Sequence, residues 1–281
     1  AGQVRGEALH GDLSGSAEQT PSALNVPWAS THAAAYFAVR CFVGAGIPQN
    51  DGLTRHVVVS APEGTILRPR FPAAVSVRHL TVQRLADVLC QALGDLLPDR
   101  AVAASHVSFP TFVFQARDLE RGLTIFTDIL GGGGGARPDA PGDNAIDTYT
   151  SSCALLPAEI AEMEYPWRVE RSELAEGSGG SGRQAGGLGL RRDYRLLADA
   201  AEGIYYVEQL NPAFGARGRK GGGPGSPARV LLRREGESDW TELSSGKGYL
   251  HLRRGDTISL VGAGGGGYGR PRARRDAPPV G

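Results

Sequence analysis

A run of five glycines is the first feature of this sequence that could do chemistry. It consists of Gly131, Gly132, Gly133, Gly134 and Gly135. Consecutive glycine amides can hold an anionic or carbonyl oxygen, because glycine accepts positive φ angles and lets a ligand approach the backbone closely. Arg137 would add a bidentate donor. The alternative is a structural strand-to-turn crossing with a surface arginine. Since G-x-x-x-x-G-K-[ST] is absent, the run is not a P-loop, and we do not expect ATP to bind here.

Carboxylates on either side of the run could act with it. Asp128 precedes the glycines and could face the same pocket, although an aspartate that forms a turn is the simpler explanation. Glu159, with Glu162 and Glu164, follows the run, where a carboxylate could orient a water molecule or pair with Arg168. Solvated surface charges are the alternative for these glutamates. We therefore treat Asp128 and Glu159 as candidate substrate-binding residues.

The histidines and cysteines do not form a recognisable metal or nucleophile motif. The six histidines lack H-x-H, H-x-x-x-H and H-E-x-x-H spacings, so the sequence predicts no metal site. His79 is a candidate because it precedes the most regular helical pattern. Cys153 with a distant histidine could form a nucleophilic pair, but no thiol-hydrolase signature flanks it. Cys41, Cys90 and Cys153 also lack the C-x-x-C spacing of metal or redox pairs.

Composition excludes several classes of protein. The 281 residues carry 30 Lys and Arg against 30 Asp and Glu, so no net field favours nucleic acid or an anionic membrane. No apolar run approaches the roughly 20 residues of a membrane span, and the N-terminus lacks a signal-peptide pattern. The odd number of scattered cysteines fits a reducing cytoplasm. The chain starts at Ala1, and its only methionine is Met163, so we expect a processed product or a piece of a longer protein.

The elements that would position these residues indicate an α+β fold. In residues 1–106, the apolar spacing predicts two buried helices and a strand at 57–59. One helix covers 33–43 behind a cap at Ser30-Thr31, and the other starts near Thr81 and ends before Pro98. This part would form a small helix-containing domain.

From residue 107 to 270 the pattern becomes strand-like and rich in glycine. Predicted strands cover 111–115, 123–130, 167–174, 190–197, 204–210, 229–233, 249–252 and 257–261. The segment 215–226 has few apolar residues and predicts a mobile loop. Residues 271–281 are predicted to be a flexible tail. The sequence thus predicts a β-rich C-terminal part behind the helical one.

Seven sequence blocks occur in an order that is more specific than any single glycine run. They are GDLSGSAEQTPSALN (11–25), IPQNDGLTRHVVVSAPEGTILRP (47–69), RHLTVQRLADVL (78–89), GGGGGAR (131–137), YPWRVERSEL (165–174), GSGGSGRQAGGLGLRRDYRLL (177–197) and GAGGGGYGRP (262–271). Together they resemble the C-terminal half of the hydantoinase B, 5-oxoprolinase and acetone carboxylase alpha-type family. Gly177 and Gln184-Ala185 depart from the family's usual Asp and aromatic-Arg, which puts a phosphate or carboxylate contact there in doubt.

The resemblance implies a component of an ATP-dependent enzyme that opens small cyclic amides such as hydantoins, 5-oxoproline or lactams. It implies a hydantoinase A-type partner that binds ATP. It also implies an N-terminal hydantoinase B half that holds a divalent metal and has no counterpart before Ala1. We therefore expect no metal on this chain, and an active site shared with partner chains.

Two other functions remain open at this point. Related complexes carboxylate ketones, so the chain could belong to an ATP-dependent ketone carboxylase. It could also be a non-catalytic assembly component whose glycine loops pack against partner chains. Motif order alone does not identify the substrate or a catalytic residue.

Overall fold

The computed structural model describes residues 2–44, 46–118 and 122–271. The chain forms two compact units. The first comprises Ala1–Val102 and Asp147–Ser152, and the second comprises Ala103–Ile146 and Cys153–Gly281. The sequence-based division at residue 106 did not anticipate that the segment Asp147–Ser152 belongs to the first unit. The predicted flexible tail lies outside the described residues after Pro271.

The first unit combines a small sheet with two long helices. Strands β1 (Gly2–Arg5) and β2 (Ala8–Asp12) form an antiparallel hairpin, and β2 pairs in parallel with β3 (Val57–Ser60). The helices are α1 (Trp28–Val43), the short α2 (Asp51–Thr54) and α3 (Arg78–Leu96), which is followed by a 3-10 turn at Pro98–Arg100. No helix in the described ranges is long and apolar enough to cross a membrane.

Both long helices begin before their predicted caps. Helix α1 begins at Trp28, and the Thr31 hydroxyl inside it donates to the Leu67 carbonyl at 2.7 Å. Helix α3 begins at Arg78, and the Thr81 hydroxyl donates to the Leu24 carbonyl at 2.8 Å. The cap assignments were wrong, because these hydroxyls satisfy carbonyls of distant loops instead of the first helical amides.

The second unit contains two antiparallel sheets. The four-stranded sheet has the order β11-β8-β4-β5, and the five-stranded sheet has the order β10-β9-β12-β7-β6. The strands are β4 (Thr111–Asp118), β5 (Gly122–Ile129), β6 (Trp167–Leu174), β7 (Leu190–Leu196), β8 (Ala200–Tyr206), β9 (Arg229–Arg233), β10 (Thr241–Glu242), β11 (Lys247–Arg253) and β12 (Thr257–Val261). Helix α4 (Ala158–Glu164) precedes β6, and Pro212–Phe214 forms a 3-10 turn.

One apolar core joins the two sheets. Phe112 and Phe126 from the four-stranded sheet meet Trp167 and Tyr194 from the five-stranded sheet, with the Phe112 and Tyr194 ring centroids 4.6 Å apart. Burying several aromatic rings in one cluster contributes a large part of the stability of such a sandwich. The mixture of helices in the first unit and sheets in the second confirms the predicted α+β class.

Strand β8 begins earlier than the sequence indicated. Its first residues include Ala200, Ala201 and Gly203, which are poor strand formers by propensity. A side chain at Gly203 would place a Cβ atom 2.1 Å from the Val113 carbonyl oxygen and against Phe114. Close packing therefore selects small residues here, and it overrides the β-branched signal that indicated a start at residue 204.

Candidate functional site

The glycine run directly follows β5, and its backbone passes very close to other segments. A Cβ atom on Gly133 would lie 1.9 Å from the Gly187 carbonyl oxygen, and one on Gly135 would lie 1.9 Å from the Ala103 carbonyl oxygen. None of the five glycines has a positive φ in the left-handed region. The run requires glycine because backbones touch there, and not because of an unusual backbone conformation.

The amides that could have held a ligand oxygen donate inside the protein. In the order Gly132 to Gly135, their acceptors are Ile146 O, Ala263 O, Asp143 O and Ser105 Oγ, at 3.0, 2.9, 2.8 and 2.9 Å. Each of these donors is satisfied without a ligand. An anion held by this run stays a prediction, and it would require the amides to exchange partners.

The run belongs to a larger array that we call the glycine bundle, residues 131–136, 178–189, 215–226 and 262–269. Backbone hydrogen bonds link its segments, including Gly187 N to Gly134 O at 2.9 Å and Gly180 N to Gly265 O at 2.8 Å. The predicted mobile loop 215–226 is one of them, since Gly223 N donates to Ser181 O at 2.6 Å. That loop assignment was wrong, because its hydrogen-bond partners lie far away in sequence.

A fully buried histidine lies inside the glycine bundle. His106 Nε2 is 2.7 Å from the Ile146 carbonyl oxygen, and its Nδ1 is 3.4 Å from Ser108 Oγ. A Cβ atom on Gly132 would lie 2.4 Å from the imidazole ring. Burial lowers the pKa of His106 to about 4, while the contact with Ile146 opposes the shift. The imidazole is therefore neutral at physiological pH, and it helps to position the glycine run.

Arg137 lies where several cations surround the end of the glycine bundle. Its half-exposed side chain is 4.0 Å from Asp139. Arg183 donates to the Pro138 carbonyl at 2.8 Å and passes over Gly269. These positive charges suit an anionic group, and Arg137 remains a candidate donor on that ground.

Asp128 lies inside the sandwich core. It is 5% exposed, and its Oδ2 accepts hydrogen bonds from Arg192 Nη1 and the Tyr194 hydroxyl, both at 2.7 Å. Its Oδ1 accepts from the amide of Ile129 at 2.9 Å. Burial raises the pKa of Asp128, and Tyr194 and Arg192 act against that shift. Both oxygens are engaged within the core, so the structure gives Asp128 the role of a buried ion-pair partner.

Glu159 is exposed in the first turn of α4. Its neighbour Glu162 accepts a hydrogen bond from the amide of Val169 at 2.9 Å and thereby ties α4 to β6. An acidic residue in the first turn of a helix is stabilised by the helix dipole. Glu159 therefore has a sufficient structural explanation, and a contact with substrate stays a prediction.

His79 lies in the first unit, in a polar group that we call the Tyr149 cluster: His79, Gln83, Asp87, Asp147 and Tyr149. The Tyr149 hydroxyl donates to Asp87 at 2.5 Å, and the amide of Thr150 donates to Gln83 at 3.3 Å. Burial lowers the pKa of His79, with Arg78 acting in the same direction and Asp147 opposing it.

Tyr149 has a φ of 57°, which is unusual for a residue other than glycine. Such backbone strain costs on the order of 1–3 kcal/mol and is concentrated at functional sites. The cluster also contains a neutral imidazole and a tyrosine hydroxyl that is bonded to a buried carboxylate. These are groups that can donate and accept protons at neutral pH. We therefore regard the Tyr149 cluster as the candidate functional site of the first unit.

Sequence reasoning found His79 but not its partners. Gln83 and Asp87 follow it at helical spacing on α3, so one helical face was detectable. Tyr149 was not detectable, because its segment is far from α3 in sequence. Among the residues that the structure describes, no group of three or more His, Cys, Asp or Glu could hold a metal ion. The chain's described residues thus do not fit a divalent metal site.

A cavity of about 190 Å³ is lined by α1, α3 and the small sheet of the first unit. Ala38, Val57 and Leu93 are typical of its wall, and His10 and Asp12 are its only polar side chains among the lining residues. A site for an amide needs a few converging polar groups on an apolar wall. Two groups on one strand do not converge, and we do not assign substrate to this cavity.

Comparison with known proteins gives the chain a family. The family model described as Hydantoinase B/oxoprolinase matches residues 2–271. The chain is 32% identical over 279 residues to the B-type component of a "Putative D-/L-hydantoinase" from Pseudomonas sp. strain NS671, and the match covers 97% of this chain and 46% of that protein. It is 30% identical over 266 residues to 5-oxoprolinase 1 of Arabidopsis thaliana, and that match covers 94% of this chain and 20% of that protein.

Two solved structures share the fold. The ATP-dependent caprolactamase from Pseudomonas jessenii matches with a TM-score of 0.81 and 23% identity, over 96% of this chain and 48% of that chain. The nucleotide-free acetone carboxylase matches with a TM-score of 0.83 and 16% identity, over 96% of this chain and 41% of that chain. The chain spans about half the length of the Pseudomonas hydantoinase relative, and less of longer relatives. With a family match across nearly its whole length, the chain belongs to the hydantoinase B/oxoprolinase family.

Proposed function

We propose that this chain is one component of an ATP-dependent enzyme that hydrolyses small cyclic amides, together with a hydantoinase A-type partner. Family membership across residues 2–271 is the observation that carries the proposal. The relatives named as a hydantoinase component and as 5-oxoprolinases support a cyclic amide as the substrate class. The ring could be a hydantoin, 5-oxoproline or a lactam.

The chemistry of amide opening explains why ATP would be required. An amide carbonyl is a poor electrophile, and transfer of a phosphoryl group to its oxygen creates a better leaving group. The chain has no P-loop sequence, so we place ATP on the hydantoinase A-type partner. We place the divalent metal on the other half of a hydantoinase B-type polypeptide, since the described residues of this chain offer no suitable group.

This chain would contribute rigid walls and proton-handling groups. The glycine bundle holds its segments together through backbone hydrogen bonds, which suits a scaffold that keeps reacting groups in position. The Tyr149 cluster supplies a neutral imidazole and a hydroxyl bonded to Asp87. We assign to Tyr149 and His79 the holding of a proton near the leaving nitrogen.

Two alternatives each have one observation in their favour. Similarity in fold to acetone carboxylase favours a ketone carboxylase, in which an enolate would attack a carboxylating species. The internal use of the glycine amides favours a non-catalytic assembly component. Product analysis distinguishes the two enzymes: the complex should convert a cyclic amide and ATP into the ring-opened acid. A β-keto acid formed from a ketone and bicarbonate would instead establish the carboxylase.

The assignment to Tyr149 has its own test. Tyr149→Phe in the assembled complex should lower kcat by about 100-fold, the usual size of a lost proton-transfer group, with a much smaller change in KM. Tyr249→Phe is the matched control, since the Tyr249 hydroxyl donates to the exposed Glu202 at 2.7 Å. Urea unfolding of both variants reports any loss of stability. Unchanged kcat in a folded Tyr149→Phe complex would remove Tyr149 from the mechanism.

A further inference from the structure

Two cysteines that are distant in sequence meet in the first unit. Cys41 lies on α1 and Cys90 on α3, and the packing of these helices brings the two thiols into hydrogen-bonding contact. Both are free thiols in the structure. Sequence reasoning did not detect the pair, because spacing motifs reveal only cysteines that are close along the chain.

The two thiols have different environments. Cys41 is exposed, whereas Cys90 is 3% exposed and packs against Ala38 and Phe42. The hydrogen bond from Cys90 lowers the pKa of Cys41 to about 7, with the charge of Arg40 acting in the same direction and burial opposing it. Contact with Cys41 and burial raise the pKa of Cys90. Roughly half of the Cys41 side chains are therefore thiolate at neutral pH, while Cys90 stays protonated.

We propose that Cys41 and Cys90 form an oxidisable thiol pair, in which hydroperoxides oxidise the exposed Cys41 and the buried Cys90 then closes a disulfide between α1 and α3. The arrangement of one accessible sulfur in contact with one protected sulfur is that of an attacking and a resolving cysteine. This proposal does not depend on the proposed enzymatic function.

The reaction balances with hydrogen peroxide as the oxidant. The Cys41 thiolate sulfur bonds to one peroxide oxygen, the O–O bond breaks, and hydroxide leaves and is protonated to water. Cys41 is then a sulfenic acid. The Cys90 sulfur attacks the Cys41 sulfur, the S–O bond breaks, and the hydroxyl leaves with the Cys90 proton as a second water. Two thiols lose two electrons, and one peroxide gains them.

Oxidation would act on the helix that holds the Tyr149 cluster. Cys90 lies one turn after Asp87 on α3, and Tyr149 packs against the group formed by Cys90, Ala38 and Phe42. A disulfide there would fix α3 to α1 directly beneath the Tyr149 ring. The pair thus links the redox state of the surroundings to the packing of the candidate site.

Peptide mapping of the full chain tests the proposal. The chain is treated with one equivalent of hydrogen peroxide at neutral pH, remaining thiols are alkylated, and unreduced peptides are identified by mass spectrometry. We expect a cross-linked peptide that contains Cys41 and Cys90, has lost two hydrogens, and separates on reduction with dithiothreitol. Cys153→Ser should leave this product unchanged, since Cys153 is not part of the pair.

Variants of the pair separate the two roles. Cys90→Ala keeps a small apolar residue in the core and should accumulate Cys41 sulfenic acid, which is trapped as a dimedone adduct. Cys41→Ser should leave Cys90 unmodified by the same dose of peroxide. Peroxide treatment that leaves Cys41 as a thiol, or that cross-links Cys41 only to Cys153 or between two chains, would overturn the proposal.

Discussion

A neutral histidine inside the glycine bundle makes the stability of the second unit sensitive to acid. Burial lowers the pKa of His106 from 6.5 to about 4. Between these values the unfolded chain binds a proton that the folded chain does not bind. Stability should therefore fall as the pH falls through this window, by about 1.4 kcal/mol per pH unit and roughly 3 kcal/mol in all.

Urea unfolding between about pH 4.5 and pH 7 measures this dependence. His106→Gln removes the titrating group but keeps an amide that can donate to the Ile146 carbonyl. The variant should be less stable at neutral pH and should lose less stability than the natural protein on acidification. An equal acid dependence in both proteins would show that His106 is not held neutral.

The buried pair of Asp128 and Arg192 should be strongly coupled. Arg192 is 1% exposed, and Arg192→Met would leave the Asp128 carboxylate with the Tyr194 hydroxyl but without a countercharge. Breaking a buried pair in this way costs about 3–5 kcal/mol. Adding Asp128→Asn to Arg192→Met should recover part of the loss, which a double-mutant cycle by urea unfolding measures. Strictly additive losses would contradict a direct pair.

At the residue scale, the sequence predicted chemistry-bearing residues better than their roles. Asp128 was correctly singled out, but its partners are Arg192 and Tyr194, which lie on another strand. The alternation of Leu190, Arg192, Tyr194 and Leu196 places all four on the buried face of β7, although a buried arginine conceals the apolar pattern. His106 was missed because nothing in its local sequence indicates complete burial.

At the scale of elements, the glycine bundle accounts for most of the difficulty of this sequence. Strands β9 and β12 have their predicted bounds, because their apolar residues are contiguous and locally visible. The segment 215–226 was predicted to be mobile, because its composition matches that of a flexible linker. Its backbone bonds to 178–181 and 264–267 depend on contacts that local composition does not encode.

Two neighbouring glycines allow a matched test of the bundle. A Cβ atom on Gly133 would lie 1.9 Å from the Gly187 carbonyl oxygen, whereas one on Gly134 would have its nearest neighbour, a methyl of Ile146, at 3.1 Å. Gly133→Ala must separate two backbones and should cost more than about 3 kcal/mol, or prevent folding. Gly134→Ala needs only a small movement and should cost about 1 kcal/mol or less.

Thermal and urea unfolding of the two variants measure the difference. Gly15→Ala serves as the control for alanine substitution itself, since a Cβ atom there meets no atom within 4 Å. Equal stability of Gly133→Ala and Gly134→Ala would mean that the segments do not touch as the structure has them. A ligand-binding role for the run would instead predict stable variants with weaker substrate binding.

At the scale of the whole molecule, the order of sequence blocks was more informative than any single site. The family resemblance was confirmed by a match over residues 2–271, and it identified the fold class correctly. The substrate cannot be read from the same information, because the chain covers 46% of its hydantoinase relative and the active site is proposed to be shared. Pocket-lining groups of other chains are not encoded in this one.

The most direct test is phosphate release from ATP by this chain assembled with its hydantoinase A-type and remaining hydantoinase B-type partners. Hydantoin, 5-oxoproline and a panel of lactams would be supplied, and each assay would be repeated with this chain omitted. We predict that at least one cyclic amide stimulates phosphate release, and that the stimulation disappears without this chain. Stimulated release that is unchanged when the chain is omitted would contradict its proposed part in the enzyme.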